Sequence, residues 1–435
     1  MAAKVGLEAA WGAADWKAEG VSETGLYPRH LEEALLTALR DSPVVFLRGG
    51  RQVGKTTLAK RVGRGVAGYR TFDDLNEIDA ARDDPQGFVA KLDTPVVLDE
   101  IQRCPEIFLP LKATVDRDRR PGRFLLTGSA GALVLPRLAD AMVGRMRILT
   151  LHPLSQGEIE GTREGFIDAL FSADTRWSTG TPMEVWSRIE KGGFPEAIRL
   201  DAESRASWFD SHVDTVISRD VREMSDIEGL TVLPQLVELA AARIGSLLNY
   251  SELARAMALP QTTLKRYLAL LQATFLVFRL RPWSPNLGRR LVRSSKLYFT
   301  DVGLAAHLLN LDAQALKEKA SAVGPLLENF VVAEILRQLT WSRTRAKPYH
   351  YRTHDGHEVD IVLEGPAGRC AAIEVKATGT VRATDFTGLG RLKEALGDRF
   401  VRGVLLHLGS GSHALPFGER LEALPVSALW QCPAP

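Results

Sequence analysis

Val44-Val45-Phe46-Leu47-Arg48-Gly49-Gly50-Arg51-Gln52-Val53-Gly54-Lys55-Thr56-Thr57 is the stretch on which the fold turns. Its first four residues are a β-branched and aromatic run of the kind that fills a buried parallel strand. Gly49, Gly54, Lys55 and Thr56 then match G-x-x-x-x-G-K-[ST] at every fixed position. The glycines let successive backbone N–H groups curl around a β-phosphate, and Lys55 reaches the β- and γ-oxygens. The Thr56 hydroxyl takes one position on Mg²⁺, and the helix expected through Arg64 presents its positive N-terminus to the anion. Gly49, Gly50, Arg51, Gln52, Val53, Gly54, Lys55, Thr56 and Thr57 are thus expected to hold ATP.

Upstream, residues 1–25 lack periodicity and read as an extension. Apolar residues recur at helical spacing from Leu31 to Leu39, until Asp41-Ser42-Pro43 breaks the pattern. Downstream, strands are predicted at Tyr69 to Phe72, Val96 to Leu98, Phe124 to Leu126 and Met146 to Leu151. Strands alternating with helices at this spacing indicate an α/β fold with a parallel sheet covered on both faces. Val96-Val97-Leu98-Asp99-Glu100 places two carboxylates at a strand end, which in such a sheet faces the ligand crevice. Asp99 is expected to hold Mg²⁺ through water, and Glu100 to polarise the attacking water. Ser129, after the strand ending in Thr127-Gly128, either orients that water or caps the next helix.

The chain has 435 residues, enough for two or three domains, and its 45% hydrophobic and 25% charged content is that of a globular protein. No apolar run approaches the length of a membrane span, and the N-terminus has no secretory pattern. Cys104, Cys370 and Cys432 are odd in number and lack metal-ligand spacing, which points to a reducing compartment and a cytoplasmic location. A net charge of +2 implies no polyanionic partner by itself. Arg117, Arg119, Arg120 and Arg123 read as solvated surface. A second cluster, Arg279, Arg281, Arg289, Arg290, Arg293 and Lys296, falls in a more telling place.

Beyond Pro153 the pattern turns helical, with a break at Gly192-Gly193-Phe194-Pro195 and a helix around Ser207 to Met224. Ser251 to Met257, the break at Pro260-Gln261, and Thr262 to Leu268 have helix-turn-helix spacing. Phe275 to Leu280 and Leu297 to Thr300 supply strands for a wing. In a winged helix, Gln261, Thr262, Lys265 and Arg266 face the major groove and Arg289, Arg290 and Arg293 the phosphates. Packing against the core or a protein partner is the alternative.

Glu358 to Leu363 and Ile373-Glu374-Val375-Lys376 read as neighbouring strands. Alternation puts Glu374 and Lys376 on one face of the second strand and Asp360 on one face of the first. Two acids can hold a divalent ion against a phosphodiester while a lysine stabilises charge. The arrangement resembles the PD-(D/E)XK nuclease fold, although the proline that precedes its aspartate is absent. Glu328 in Leu326-Leu327-Glu328-Asn329-Phe330 matches that fold's additional acid.

The ordered set Gly-Arg-Gln-Val-Gly-Lys-Thr-Thr (50–57), Leu-Asp-Glu-Ile-Gln (98–102), Leu-Thr-Gly-Ser (126–129), Gly-Arg (144–145), Leu-x-Pro-Leu-Ser (151–155) and Gly-Gly-Phe-Pro-Glu (192–196) resembles one family. It is the bacterial and archaeal ATP-binding proteins with an AAA+-related core and a C-terminal nuclease-like domain of unknown function. The resemblance implies an AAA+-type ATPase using ATP and Mg²⁺, with Lys55, Glu100, Ser129 and an arginine at the γ-phosphate. Arg145 is the first candidate for that arginine, with an ordinary ion pair as its alternative role, and Arg219 the second. The expected organisation is an extension (1–25), P-loop core (26–155), helical lid (156–230), winged helix (231–310) and nuclease-like, restriction-endonuclease-like α/β domain (311–435). An ATP-gated regulatory or antitoxin-like protein, recognising a partner without cleavage, is the rival to an ATPase acting on DNA. A small-molecule kinase is disfavoured, because the C-terminal half offers no acceptor lid. Double-stranded DNA, a protein and a second copy of the chain are open as partners.

Overall fold

The computed structural model describes residues 11, 25–65, 68–129, 142–172, 177, 185–224, 230–286, 294–318, 320–409 and 414–433. Strands β1 (Val44–Gly49), β2 (Gly68–Thr71), β3 (Val96–Asp99), β4 (Phe124–Gly128) and β5 (Met146–Leu151) form a sheet in the order β2-β3-β4-β1-β5. Every pairing in it is parallel. The two-residue period of a strand sends alternate side chains to separate cores. Val45, Leu47, Val97 and Leu125 enter one. Val44, Phe46, Val96, Leu98, Phe124 and Leu126 enter the other. Burial on both faces is why these strands read as continuous apolar runs. The register sets Gly49 beside Leu151, Arg48 beside Gly128 and Thr71 beside Asp99, so the C-terminal strand tips share one rim.

After β5 the chain is helical. The helix expected from about Ser207 begins earlier and runs Ala202–Thr215, because Asp201 caps it by accepting from the Ser204 N–H at 2.8 Å. It then widens into a π-helical turn, Val216–Val221, and ends at Arg222–Met224. The Gly192-Gly193 break docks this region: the Gly193 N–H donates to Asp301 Oδ2 at 2.7 Å, and its carbonyl accepts from Leu154 N–H at 2.7 Å.

The middle segment packs helices Leu233–Ala241, Tyr250–Ala256 and Gln261–Ala273 against an antiparallel pair, β6 (Val277–Leu280) and β7 (Lys296–Phe299). Leu247 adds a single antiparallel bridge to Lys296. A six-stranded mixed sheet follows, built from β8 (Lys347–Arg352), β9 (Glu358–Glu364), β10 (Cys370–Lys376), β11 (Phe400–His407), β12 (Leu415–Gly418) and β13 (Leu421–Pro425). Its order is β12-β13-β11-β10-β9-β8, with the long helix Ala320–Gln338 against it. Among the described residues no helix is long and apolar enough to cross a membrane.

Candidate functional site

The turn between β1 and the helix Lys55–Val62 forms a nest for phosphate. Gly54 makes it feasible at φ +94°, a backbone conformation that side chains resist. Lys55 is buried, and its Nζ donates to the Gly50 carbonyl at 2.8 Å. Burial lowers its pKa, opposed by the fields of Glu100, Asp99 and Asp220. A pocket of about 380 Å³ opens over the turn. Arg51, Gln52, Gly54, Lys55, Thr56 and Thr57 line it, joined by Glu100 and Ser129 from the strand tips. Gly49, Gly50 and Val53 do not line it. The Val53 side chain is buried in the core, and its carbonyl accepts from Arg29 Nη1 at 2.7 Å.

The tip of the turn is gripped by the helical segment. Arg51 Nε lies 3.4 Å from Asp220 Oδ1 in the π-helical turn. Gln52 Nε2 donates to Glu196 at 3.3 Å, and Gln52 Oε1 lies 2.7 Å from His212 Nδ1. Burial, with Arg51 nearby, pulls the His212 pKa down to about 4. The Glu196 of Gly-Gly-Phe-Pro-Glu thus meets the phosphate turn. Arg29 and Arg199 also line the pocket, and no local pattern in the sequence marks them.

Asp99 is buried at the tip of β3 and surrounded by donors. Thr56 Oγ1 stands 3.0 and 3.2 Å from its two oxygens, and the Tyr69 hydroxyl donates to it at 2.6 Å. The Thr127 hydroxyl completes the set. Thr56 lines the pocket and Asp99, outside the lining, is bonded to it; a hydroxyl and a carboxylate side by side are hard oxygen ligands, the chemistry Mg²⁺ requires. Glu100 follows in the left-handed region at φ 56°, and its N–H donates to Thr127 Oγ1 at 3.3 Å. Gln102 Nε2 holds the Glu100 carboxylate and also stands 3.1 Å from Ser129 Oγ. Gln102 and Thr127 lie within quoted motifs, although no role was assigned to either. Tyr69 had no local signal at all, since its contact depends on β2 pairing with β3.

Several expected residues fall elsewhere. Arg145 precedes β5, whose first residue pairs with Val44, so it sits at the opposite rim and ion-pairs with Asp116. It does not reach the pocket of its own chain, because β5 separates the two by its full length. Arg219 is outside the pocket lining and lies 3.4 Å from Glu223 and 3.8 Å from Asp73. Gln261, Thr262, Lys265 and Arg266 are exposed on one helix. Arg289, Arg290 and Arg293 lie outside the described residues. Lys296, grouped with them as a loop cation, is instead buried on β7.

The C-terminal acids are brought near one another, but by way of that lysine. Lys296 Nζ lies 2.7 Å from Glu328 Oε1 and 3.3 Å from Asp360 Oδ1. Burial would lower its pKa, yet Glu328 and Asp360 outweigh burial and raise it. Burial and the Asp360 charge push Glu328 up to about 7, with Lys296 pulling the other way. Glu374 rises to about 8 for the same two reasons, against Lys376, whose Nζ is 2.7 Å away. Among the described residues no three His, Cys, Asp or Glu side chains converge as a metal-ligand group. What lies between Glu328 and Asp360 is the Lys296 ammonium, a monovalent cation that already offsets their charge.

Residues 41–160 match the model of the AAA domain family. Residues 184–315 and 323–429 match two domains of unknown function, DUF8612 and DUF4143. The uncharacterized proteins Rv2008c of Mycobacterium tuberculosis and Mb2031c of Mycobacterium bovis are each 30% identical to this chain over 398 residues, covering 91% of it and 82% of the relative. An uncharacterized protein of Haemophilus influenzae is 23% identical over 220 residues, 49% of this chain and 51% of its own. Among solved structures, the Walker-type ATPase PABY2304 of Pyrococcus abyssi aligns at TM-score 0.41 with 14% identity, over 68% of this chain and 99% of that one. The Thermotoga maritima RuvB Holliday junction branch migration motor aligns at TM-score 0.29 with 19% identity, over 62% of this chain and 93% of that one. With an AAA-type P-loop core at its N-terminal end, the chain belongs to the family of the two mycobacterial proteins.

Proposed function

We propose that this protein hydrolyses ATP with Mg²⁺ and couples the cycle to its middle and C-terminal regions, acting on double-stranded DNA. One observation carries the reading: Thr56 and Asp99 are hydrogen-bonded at the rim where Lys55 and Glu100 line the same pocket. In this reading the turn amides and Lys55 hold the triphosphate, and Thr56 and Asp99 hold Mg²⁺. Bound Mg²⁺ supplies charge neutralisation as the γ-phosphoryl group leaves. Glu100 positions the attacking water, and Gln102, itself bonded to Ser129, fixes the Glu100 carboxylate. Arg51, which lines the pocket and pairs with Asp220 of the lid, is the candidate for the γ-phosphate arginine in place of Arg145.

The middle segment, with three helices and an antiparallel strand pair, is consistent with a winged helix. Its exposed Gln261, Thr262, Lys265 and Arg266 support DNA contact by that helix. Asp360 and the pair Glu374 and Lys376 on neighbouring strands of the six-stranded sheet support a PD-(D/E)XK-like reading of that domain as a binding module. The regulatory reading, in which that domain recognises a partner without cutting, is favoured by Lys296 lying between Glu328 and Asp360.

ATP turnover measured with and without Mg²⁺ and duplex DNA tests the proposal. Glu100→Gln is expected to keep nucleotide affinity and lose about 10²-fold or more in turnover. Lys55→Ala is expected to lose affinity itself. Undiminished turnover in Glu100→Gln would overturn the assignment. Duplex affinity that does not respond to salt, or to Lys265→Ala with Arg266→Ala, would remove DNA from the reading.

A further inference from the structure

Outside the nucleotide pocket, buried charge gathers at the junction between β7 and the C-terminal domain. Lys296 and Tyr298 are two residues apart on β7 and so point to the same side. Both meet Glu328: Lys296 Nζ at 2.7 Å and the Tyr298 hydroxyl at 2.5 Å. Lys296 also reaches Asp360 Oδ1 at 3.3 Å, whose other oxygen accepts from the Val375 N–H at 2.9 Å. The docking is fixed by backbone too. The Asn329 amide spans Phe299, accepting from its N–H at 2.8 Å and donating to its carbonyl at 2.9 Å.

Glu374 supplies an independent observation. It is 7% exposed, its Oε1 is bonded to Lys376, and its buried Oε2 has no hydrogen-bond partner. A buried carboxylate oxygen without a donor is costly. The fields of Lys376 and Lys296 are what offset that cost, against burial and the Asp360 charge.

We propose that Lys296 is a resident cation for the Glu328, Asp360 and Glu374 cluster, seated between two of its carboxylates so that the C-terminal domain binds no divalent metal while β7 is docked. An ammonium neutralises the acids without the multidentate coordination a divalent ion needs. The cluster is in this respect a latch between the middle segment and the C-terminal domain. It becomes a metal site only when the lysine is gone.

Manganese is the probe, titrated without nucleotide into the full chain by electron paramagnetic resonance and by thermal shift. Wild type and Asp360→Asn are expected to take up Mn²⁺ identically. Lys296→Met is expected to melt at a lower temperature, to bind one further Mn²⁺ by about tenfold or more tighter than wild type, and to regain stability with it. Adding Asp360→Asn to Lys296→Met should abolish that extra ion. Mn²⁺ bound by wild type and lost in Asp360→Asn would overturn the proposal. So would a folded Lys296→Met chain that gains no ion. If Lys296→Met fails to fold, Lys296→Gln, which keeps a donor toward Glu328, takes its place, and the pair of wild type and Asp360→Asn still decides whether the native cluster holds metal.

Discussion

Under the proposed function Asp99 holds Mg²⁺, and its neighbours already fix how its carboxylate points. Three hydroxyls, from Thr56, Tyr69 and Thr127, converge on it, and each lies on a different element. Tyr69 fixes its orientation from β2, and burial followed by the Asp99 hydrogen bond raises the phenol's pKa well above its usual value, so it stays a donor. Such supporting partners commonly set metal affinity by one or two orders of magnitude. Tyr69→Phe should therefore weaken Mg²⁺-dependent ATP binding by roughly tenfold while leaving the fold intact. Calorimetric titration of Mg²⁺-ATP against both proteins reads this directly, and equal affinities would show that Tyr69 is only a packing residue.

At the scale of elements, the Gly-Gly-Phe-Pro-Glu segment fastens three parts of the molecule. Its Gly193 bonds Leu154, which follows β5, and Asp301, which caps the helix Val302–Leu308. Its Glu196 contacts Gln52 in the phosphate turn. A Cβ at Gly193 would lie 2.4 Å from the Leu154 carbonyl oxygen, closer than real contacts allow. Backbone must move to admit it, so Gly193→Ala should cost more than about 2 kcal/mol of stability. The melting temperature is the measurement, and an unchanged value would mean that the segment yields freely. The same clamp explains why the π-helical turn matters: it sets Asp220 against Arg51.

At the scale of the whole molecule, Glu334 links segments 178 residues apart in the chain. It is fully buried in the helix Ala320–Gln338, accepts from the Gln156 N–H at 3.0 Å and pairs with Arg337. Burial raises its pKa to about 7, with Glu164 adding to the rise and Arg337 opposing it. Between its unfolded value of 4.5 and about 7, the folded chain holds a proton that the unfolded chain has released. Stability from this group is therefore lost as pH rises through that window, by up to about 1.4 kcal/mol per pH unit. Glu334→Gln keeps an acceptor and has no proton to lose, so it should gain on wild type between pH 5 and pH 7. Denaturant melts of both proteins at the two pH values check the sign, and a constant difference would refute it.

The phosphate turn is legible because a buried strand, a glycine turn and a helix start are contiguous in sequence, and the place of Asp99 and Glu100 because they end an apolar run. The parallel sheet followed from apolar runs that only burial on both faces can explain. Charge told much less, since an arginine or lysine has the same letter whether solvated, paired or entombed. Lys296 read as a loop cation until β7 carried it between two acids, and Arg145 read as a pocket residue until strand register put it on the far rim. Tyr69 and Glu334 each have a partner thirty or more residues away, brought to them by pairing and packing alone. Contiguous backbone chemistry is thus set by the sequence itself, while the partner of each buried charge is chosen only when distant elements close on one another.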